Sequence, residues 1–274
     1  MTTVLRYAAF TSDPAGGNPA GVVLDAHGLD DLAMQVIAGE VGYSETAFLT
    51  APATDVQPVR YFSPKAEVSF CGHATVATAV ALAERDGPGE IVFSTAAGLV
   101  PVAVDAELRA TLTSVEPHVE DADDVPGALA LLNWSADDLS PEMPPRIAYA
   151  GARHLVLSTR TRERLAELDY DFDGLFRYML DRDLTTLQLV WQESPTVFHV
   201  RDPFPVGGVV EDPATGAAAA AFGAYLREIG REQPTITLHQ GDDLGRPSLI
   251  TVEVRPDDRR IRVSGTAVPI TAPA

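Results

Sequence analysis

The sequence predicts an α+β fold of two similar halves, each built of short strands around a helix of small residues. Three observations carry this. Short alternating β-rich runs recur through the whole chain. Two alanine-rich stretches, Val76–Ala83 and Ala217–Leu226, interrupt them at helical length. Each of these stretches follows a turn that holds polar, reactive residue types: Phe70-Cys71-Gly72-His73-Ala74-Thr75 before the first, and Val210-Glu211-Asp212-Pro213-Ala214-Thr215-Gly216 before the second. Two such helix starts, facing each other, would build one site between the halves.

Taken in order, Val4–Phe10 predicts a strand and Thr11–Pro19 a loop dense in turn formers. Gly21–Leu24 predicts a strand and Leu29–Glu40 an amphipathic helix. Tyr43–Thr50 and Val56–Phe62 follow as strands, then a helix over Ala74–Glu84 and strands at Ile91–Ser94, Leu99–Val104 and Arg109–Ser114. The acidic run Glu120–Asp124 reads as a solvated loop. Short helices are expected over Val125–Asn133, Ser135–Leu139, Arg162–Leu168 and Phe172–Asp181. Strands are expected at Ile147–Ala150, Leu155–Ser158, Thr186–Gln192 and Thr196–Arg201, and a loop over Asp202–Gly208. The second alanine-rich helix, Ala217–Gly230, leads to closing strands at Thr235–Gln240, Ser248–Arg255, Arg259–Val263 and Ala267–Thr271. A domain boundary is expected near Val115, giving halves 1–115 and 116–263, with 264–274 able to return to the first. Matching Ala74-Thr75 to Ala214-Thr215 sets the repeat at an offset of 140 (214 − 74), which puts Cys71, Gly72 and His73 opposite Glu211, Asp212 and Pro213. The match is too short to establish duplication by itself.

Composition bounds the function. With 274 residues, 46% hydrophobic and 22% charged, the chain can bury a sizeable core. A net charge of −19 argues against nucleic acid and anionic membrane surfaces as partners. A single cysteine forms no intrachain disulfide and suits a reducing compartment. The start Met1-Thr2-Thr3-Val4-Leu5-Arg6 has no basic segment followed by an apolar one, so a cytoplasmic protein is the expectation. The six histidines show no usual ligand spacing, so no metal and no cofactor are expected. No phosphate-binding glycine pattern is present.

The chemistry centres on a few side chains. A helix start offers free N–H groups and a partial positive charge, a natural cradle for a carboxylate. Gly72 and Gly216 let backbone approach a ligand. Ordinary capping by Thr75 or Asp212 is the plain alternative. Cys71 reads either as a reactive thiol beside a helix start and His73, or as a small buried hydrophobe. His73 can move protons near neutral pH. Glu45 shares a strand face with Ala47 and Leu49. On the core side it would be a good base; on an edge strand it would sit in water.

Together, Gly17-Asn18-Pro19-Ala20-Gly21-Val22, Ser44-Glu45-Thr46-Ala47-Phe48, Phe62-Ser63-Pro64, Cys71-Gly72-His73-Ala74-Thr75 and Glu211-Asp212-Pro213-Ala214-Thr215-Gly216 resemble the PhzF-like family of phenazine-biosynthesis isomerases, relatives of diaminopimelate epimerase. The motifs fall in family order over nearly the whole chain. The resemblance implies a diaminopimelate epimerase-like fold, two halves each a strand barrel around a central helix, with the active site in the cleft between them. It implies proton transfer at carbon without a cofactor, with Glu45 as general acid/base and His73 and Asp212 as further catalytic groups. Ser44, Cys71, Gly72, Thr215, Gly216 and Ala217 would bind a small carboxylate substrate, and a homodimer is expected. Two departures stand out. Cys71 occupies a place where the phenazine enzyme commonly has a small residue without a thiol, and Ala217 stands where a serine often follows. The epimerase's second cysteine has no counterpart, which counts against two-thiol racemisation. Three rivals stay open: a single-thiol racemase or epimerase using Cys71, a covalent Cys71–His73 nucleophile, and a binding protein on the same fold.

Overall fold

The structure is a computed structural model that describes residues 2–51 and 56–271. Residues 272–274 of the stretch expected to return to the first half therefore lie outside it. The chain forms two compact units. One comprises the described residues up to Thr113 and from Ser264 onward; the other is Ser114–Val263.

In the first unit, β1 (Leu5–Ala9) pairs antiparallel with β2 (Asn18–Val23). After α1 (Asp31–Val41), β3 (Glu45–Leu49) lies parallel to β2 and antiparallel to β4 (Gln57–Phe62). A two-residue strand, β5 (Glu67–Val68), pairs with β4 and leads into α2 (Gly72–Asp86). β6 (Gly89–Thr95) then runs parallel to β4, and β7 (Gly98–Val104) and β8 (Ala110–Thr113) continue antiparallel.

Helix α2 is the centre of this unit. Every residue from His73 to Ala83 is buried, and it touches β1, β2, β3, β7 and β8. A helix buried on all sides needs small side chains all round, and alanines at 74, 77, 79, 81 and 83 supply them. Amphipathic α1 packs outside, where Met34 and Ala38 meet Val23, Phe48 and Phe62. Because side chains alternate along β3, Phe48 toward α1 sends Glu45, Ala47 and Leu49 to the opposite, α2-facing side.

The second unit repeats this order. β9 (His118–Asp121) precedes α3 (Val125–Leu131) and a 3₁₀ turn at Ala136–Asp138. β10 (Arg146–Tyr149) pairs antiparallel with β9 and β11 (Arg153–Ser158). After α4 (Arg162–Ala166) and α5 (Phe172–Asp181), β12 (Thr186–Ser194) lies parallel to β11 and antiparallel to β13 (Val197–Pro203). The two-residue β14 (Glu211–Asp212) pairs with β13 and leads into α6 (Gly216–Glu228). β15 (Thr235–Gln240) runs parallel to β13, and β16 (Ser248–Val254) is antiparallel to β15. β17 (Ile261–Gly265) carries the chain back to the first unit, where β18 (Ala267–Pro269) pairs with β1 and also touches α2. Residues Ala218–Leu226 of α6 are all buried. Trp134, Leu155, Leu157, Leu175, Met179, Leu187 and Leu189 form a core under the outer helices. Among the described residues no helix is long and apolar enough to cross a membrane.

Strand pairing thus follows one pattern twice: antiparallel, parallel, antiparallel, a two-residue strand, a buried helix, parallel, antiparallel. The structural register of the repeat differs from the one Ala-Thr suggests. The helix starts correspond at 144 (216 − 72), and so do the short strands (211 − 67). Cys71 is therefore the counterpart of Thr215, Gly72 of Gly216, and Asp212 of Val68. The Ala-Thr match was a coincidence of alanine-rich composition.

Three local expectations also change. Asn18 and Pro19 leave the predicted loop and pair in β2 with Ala9 and Ala8. Glu120 and Asp121, read as loop, lie on β9, where Arg153 reaches Glu120 at 2.6 Å and Arg146 reaches Asp121 at 3.3 Å. Asp202 and Pro203 end β13 rather than opening a loop.

Close packing around α6 gives a test. A Cβ at Gly223 would stand 2.8 Å from Val252 Cγ1 and 3.0 Å from Ile261 Cγ2. Gly223→Val should cost about 1–3 kcal/mol through overpacking, read as a lower urea midpoint at unchanged slope.

Candidate functional site

The helix start of α2 collects reactive groups from three places in the chain. Cys71 is its N-cap, in extended conformation (φ −144°, ψ 115°), with no side-chain cap bond. Thr75 does not cap the helix either: its hydroxyl donates back to the Cys71 carbonyl at 2.6 Å and bonds the Tyr61 hydroxyl at 2.6 Å. This chain of bonds fixes the backbone of the N-cap from beneath. Burial pushes the Tyr61 phenol above its ordinary range, so it serves as a neutral donor.

Above that anchor, Glu45, Cys71 and His73 converge, with ligand-type atoms within 4.8 Å of one another. Cys71 Sγ donates to Glu45 Oε2 at 3.5 Å. His73 Nε2 stands 3.4 Å from the same Oε2 and 3.4 Å from Ser44 Oγ. Cys71 Sγ is 3.4 Å from His73 Nδ1 and 3.7 Å from Nε2. The Asn18 amide, from β2, meets His73 Nδ1 at 3.1 Å through Nδ2. An amide nitrogen only donates, so Nδ1 accepts and the proton sits on Nε2, facing Glu45. β3 is paired on both edges, and Glu45 keeps only 16% side-chain exposure beside 7% for His73. Glu45 is thus on the core side, not on a solvated edge.

The second unit gathers a different set. Asp212 lies on β14, across from Asp202 on β13. Thr215, the N-cap of α6, makes no side-chain cap bond; its hydroxyl donates to Asp212 Oδ2 at 2.6 Å. Gln240 ties the group together. Its Nε2 donates to the Asp212 carbonyl (2.8 Å), meets Thr215 Oγ1 (2.9 Å) and reaches Asp202 Oδ2 (3.3 Å), while its Oε1 accepts from the Thr215 N–H (3.0 Å). Gly216 and Ala217 open α6. Glu211, the neighbour of Asp212, is consumed by structure: its carboxylate is buried and paired with Arg201 at 2.6 Å, and Arg201 also donates to the Ala166 carbonyl.

Asp202 is fully buried, and its Oδ1 has no hydrogen-bond partner among the described residues. Burial raises its carboxyl well above the usual range, Asp212 and Glu211 add to this, and hydrogen bonds from Thr215 and Gln240 oppose it. His154, fully buried against Thr186 Oγ1 at 2.8 Å, is driven down to about 3 by burial, so it is a neutral core histidine.

Of the predicted site residues, Ser44, Glu45, Cys71, Gly72 and His73 meet in the first unit, and Asp212, Thr215, Gly216 and Ala217 in the second. Asn18, Asp202 and Gln240 were not singled out for the site. Asn18 stands inside a quoted motif; Asp202 and Gln240 carry no local signal beyond a polar residue at a strand end.

Comparison with known proteins gives the class first. Isomerase YfhB of Bacillus subtilis, whose function is uncharacterised, is 31% identical, covering 97% of this chain and 95% of its own. A PhzF-family phenazine biosynthesis protein of Bacillus anthracis superposes with TM-score 0.89 at 26% identity, covering 98% and 97% of the two chains. A predicted epimerase of Pseudomonas aeruginosa superposes with TM-score 0.85 at 27% identity, covering 99% and 98%. The chain is an isomerase with the diaminopimelate epimerase-like α+β fold. The profile of the phenazine biosynthesis-like protein family, PhzC-PhzF, matches residues 7–272, and the chain belongs to that family.

Two predictions follow from the buried acids. Glu211→Ala leaves Arg201 buried without its partner and should cost about 3–5 kcal/mol of unfolding free energy. Asp202 binds a proton more tightly folded than unfolded, so its burial lowers stability as pH rises above the ordinary carboxyl range near 4. Asp202→Asn removes that loss while keeping an acceptor for Gln240. Its melting temperature should exceed that of the parent at pH 7–8, with the gain vanishing near pH 4 and below.

Proposed function

We propose that the chain catalyses proton transfer at carbon in a small carboxylate-bearing substrate, without a cofactor, with Glu45 as the general acid/base. The observation that carries this is the placement of Glu45 Oε2 within 3.5 Å of both the Cys71 thiol and His73 Nε2. Both groups donate toward this oxygen, so Glu45 is the acceptor of the cluster and the thiol is a donor. An enzyme base needs that polarity.

In the proposed reaction Glu45 takes a proton from a carbon acidified by its neighbours, and the electron pair delocalises into the substrate. The proton returns at another carbon, from Glu45 itself or through His73 or Asp212, so nothing is consumed. The N–H groups around Gly72-His73 and Gly216-Ala217 would hold carboxylate charge, since no N-cap side chain claims either helix start. Ser44, Cys71 and Thr215 would orient the bound molecule. General acid/base work contributes ~10²–10⁴-fold; the N–H cradle would supply much of the rest. The resemblance further assigns a homodimer, which light scattering reads directly.

A second reading has Cys71 as the base of a racemase or epimerase. Its contacts to both ring nitrogens of His73 favour that reading. Incubation in D₂O with small amino acids, hydroxy acids and cyclic dienoates, followed by NMR of carbon-bound protons, separates the two. Exchange should fall ~10²–10⁴-fold in Glu45→Gln and survive in Cys71→Ala. Loss confined to Cys71→Ala would transfer the role to the thiol; a mass adduct on Cys71 would indicate a covalent nucleophile. Ligand binding without exchange would leave a binding protein.

A further inference from the structure

Glu45, Cys71 and His73 form a triangle whose three edges are all in contact. Two protons are available, on the thiol and on Nε2, and both point to Glu45 Oε2. The third edge, Cys71 Sγ to His73 Nε2, is a long thiol–imidazole contact at 3.7 Å. A single cation at the centre would satisfy all three corners at once.

The dimensions fit one class of ion. Tetrahedral zinc, with bonds of about 2.3 Å to sulfur and 2.0–2.2 Å to nitrogen and oxygen, places its ligand atoms about 3.4–3.6 Å apart. Here the separations are 3.7 Å for sulfur–nitrogen, 3.5 Å for sulfur–oxygen and 3.4 Å for nitrogen–oxygen. A thiolate, an imidazole and a carboxylate together suit a borderline-soft ion, not magnesium or calcium. Thiolate and carboxylate carry two negative charges, so the occupied site would be neutral, as a mostly buried place requires.

We propose that Glu45, Cys71 and His73 form a zinc(II) site of three protein ligands with a fourth position left for water. On binding, the Cys71 thiol releases its proton to solvent and sulfur bonds the metal. Zinc on Nε2 needs the proton on Nδ1, so the Asn18 amide turns to present Oδ1 there, a second-shell acceptor of the usual kind. Spacing along the sequence hid this set, because Glu45 lies 26 residues from Cys71. Metal and proton transfer would compete for the same atoms, a consequence that rests on the isomerase reading; the binding itself does not.

The test uses the full chain, treated with chelator and titrated with cobalt(II) and then zinc(II). Expected are one cobalt per chain, tetrahedral visible bands, a thiolate-to-cobalt charge-transfer band, and displacement of all three by zinc. Cys71→Ser should abolish the charge-transfer band. Glu45→Gln and His73→Ala should each weaken zinc binding at least tenfold in calorimetry, and Asn18→Ala by ~10–100-fold. Circular dichroism of each variant checks that it folds. The proposal is overturned if the parent shows no charge-transfer band, or if zinc affinity is the same in parent and Cys71→Ser, which would mark an adventitious ion only. All these readouts follow the metal and not turnover.

Discussion

Each unit depends on one constraint: an alanine-lined helix must fit inside a wrapped sheet. The fit leaves little slack, since His73–Ala83 and Ala218–Leu226 are buried without exception. Only small side chains allow strands to approach from all sides. This packing fixes where each helix begins, and so where its first N–H groups stand. The Tyr61–Thr75–Cys71 bonds then lock the N-cap of α2 from below, and the sheet delivers Glu45 and Asn18 to it from β3 and β2. The Glu45–Cys71–His73 cluster is therefore held by strands and a buried helix.

The repeat explains why the two helix starts look alike and are lined differently. At the structural register, Cys71 corresponds to Thr215, and the Tyr61/Val68 strand pair to the Asp202/Asp212 pair, because both hold the same place between a long strand and a two-residue strand. Under α2 that place is filled by a phenol and a valine, and the polar groups stand at the N-cap. Under α6 it is filled by two carboxyls, one of them cut off from water. Gln240 compensates by serving Asp202, Asp212 and Thr215 together.

Much of this was legible in the chain. Strand and helix positions followed from alternation and alanine content, and the ends moved by only a few residues. Glu45 was legible as a candidate because it shares a strand face with Ala47 and Leu49 and stands in the Ser44–Phe48 motif that carries the resemblance; core side and solvated edge stayed open until the pairing of β3 was seen. Register was not legible. Alanine-rich helices match one another at many offsets, so only strand pairing could separate 140 from 144. Asn18 was hidden because its partner lies 55 residues away. Asp202 was hidden because an aspartate before a proline reads as a turn, and only the pairing of β13 with β14 reveals it as buried.

The distribution of acids is the final argument for asymmetry between the units. Among the described residues no cation pairs with Asp202, and the guanidinium next in sequence, on Arg201, is spent on Glu211. Burial in that position raises the Asp202 carboxyl well above the usual range, and its bond to Gln240 helps hold the Asp212–Thr215 pair in place. In the first unit the order is reversed: the carboxylate of Glu45 is the acceptor, and donors surround it. One unit thus presents a carboxylate with donors in contact, and the other a buried carboxyl linked through Gln240 to Asp212 and Thr215 at a helix start. The two arrangements arise because unlike residues occupy like positions of a repeated scaffold.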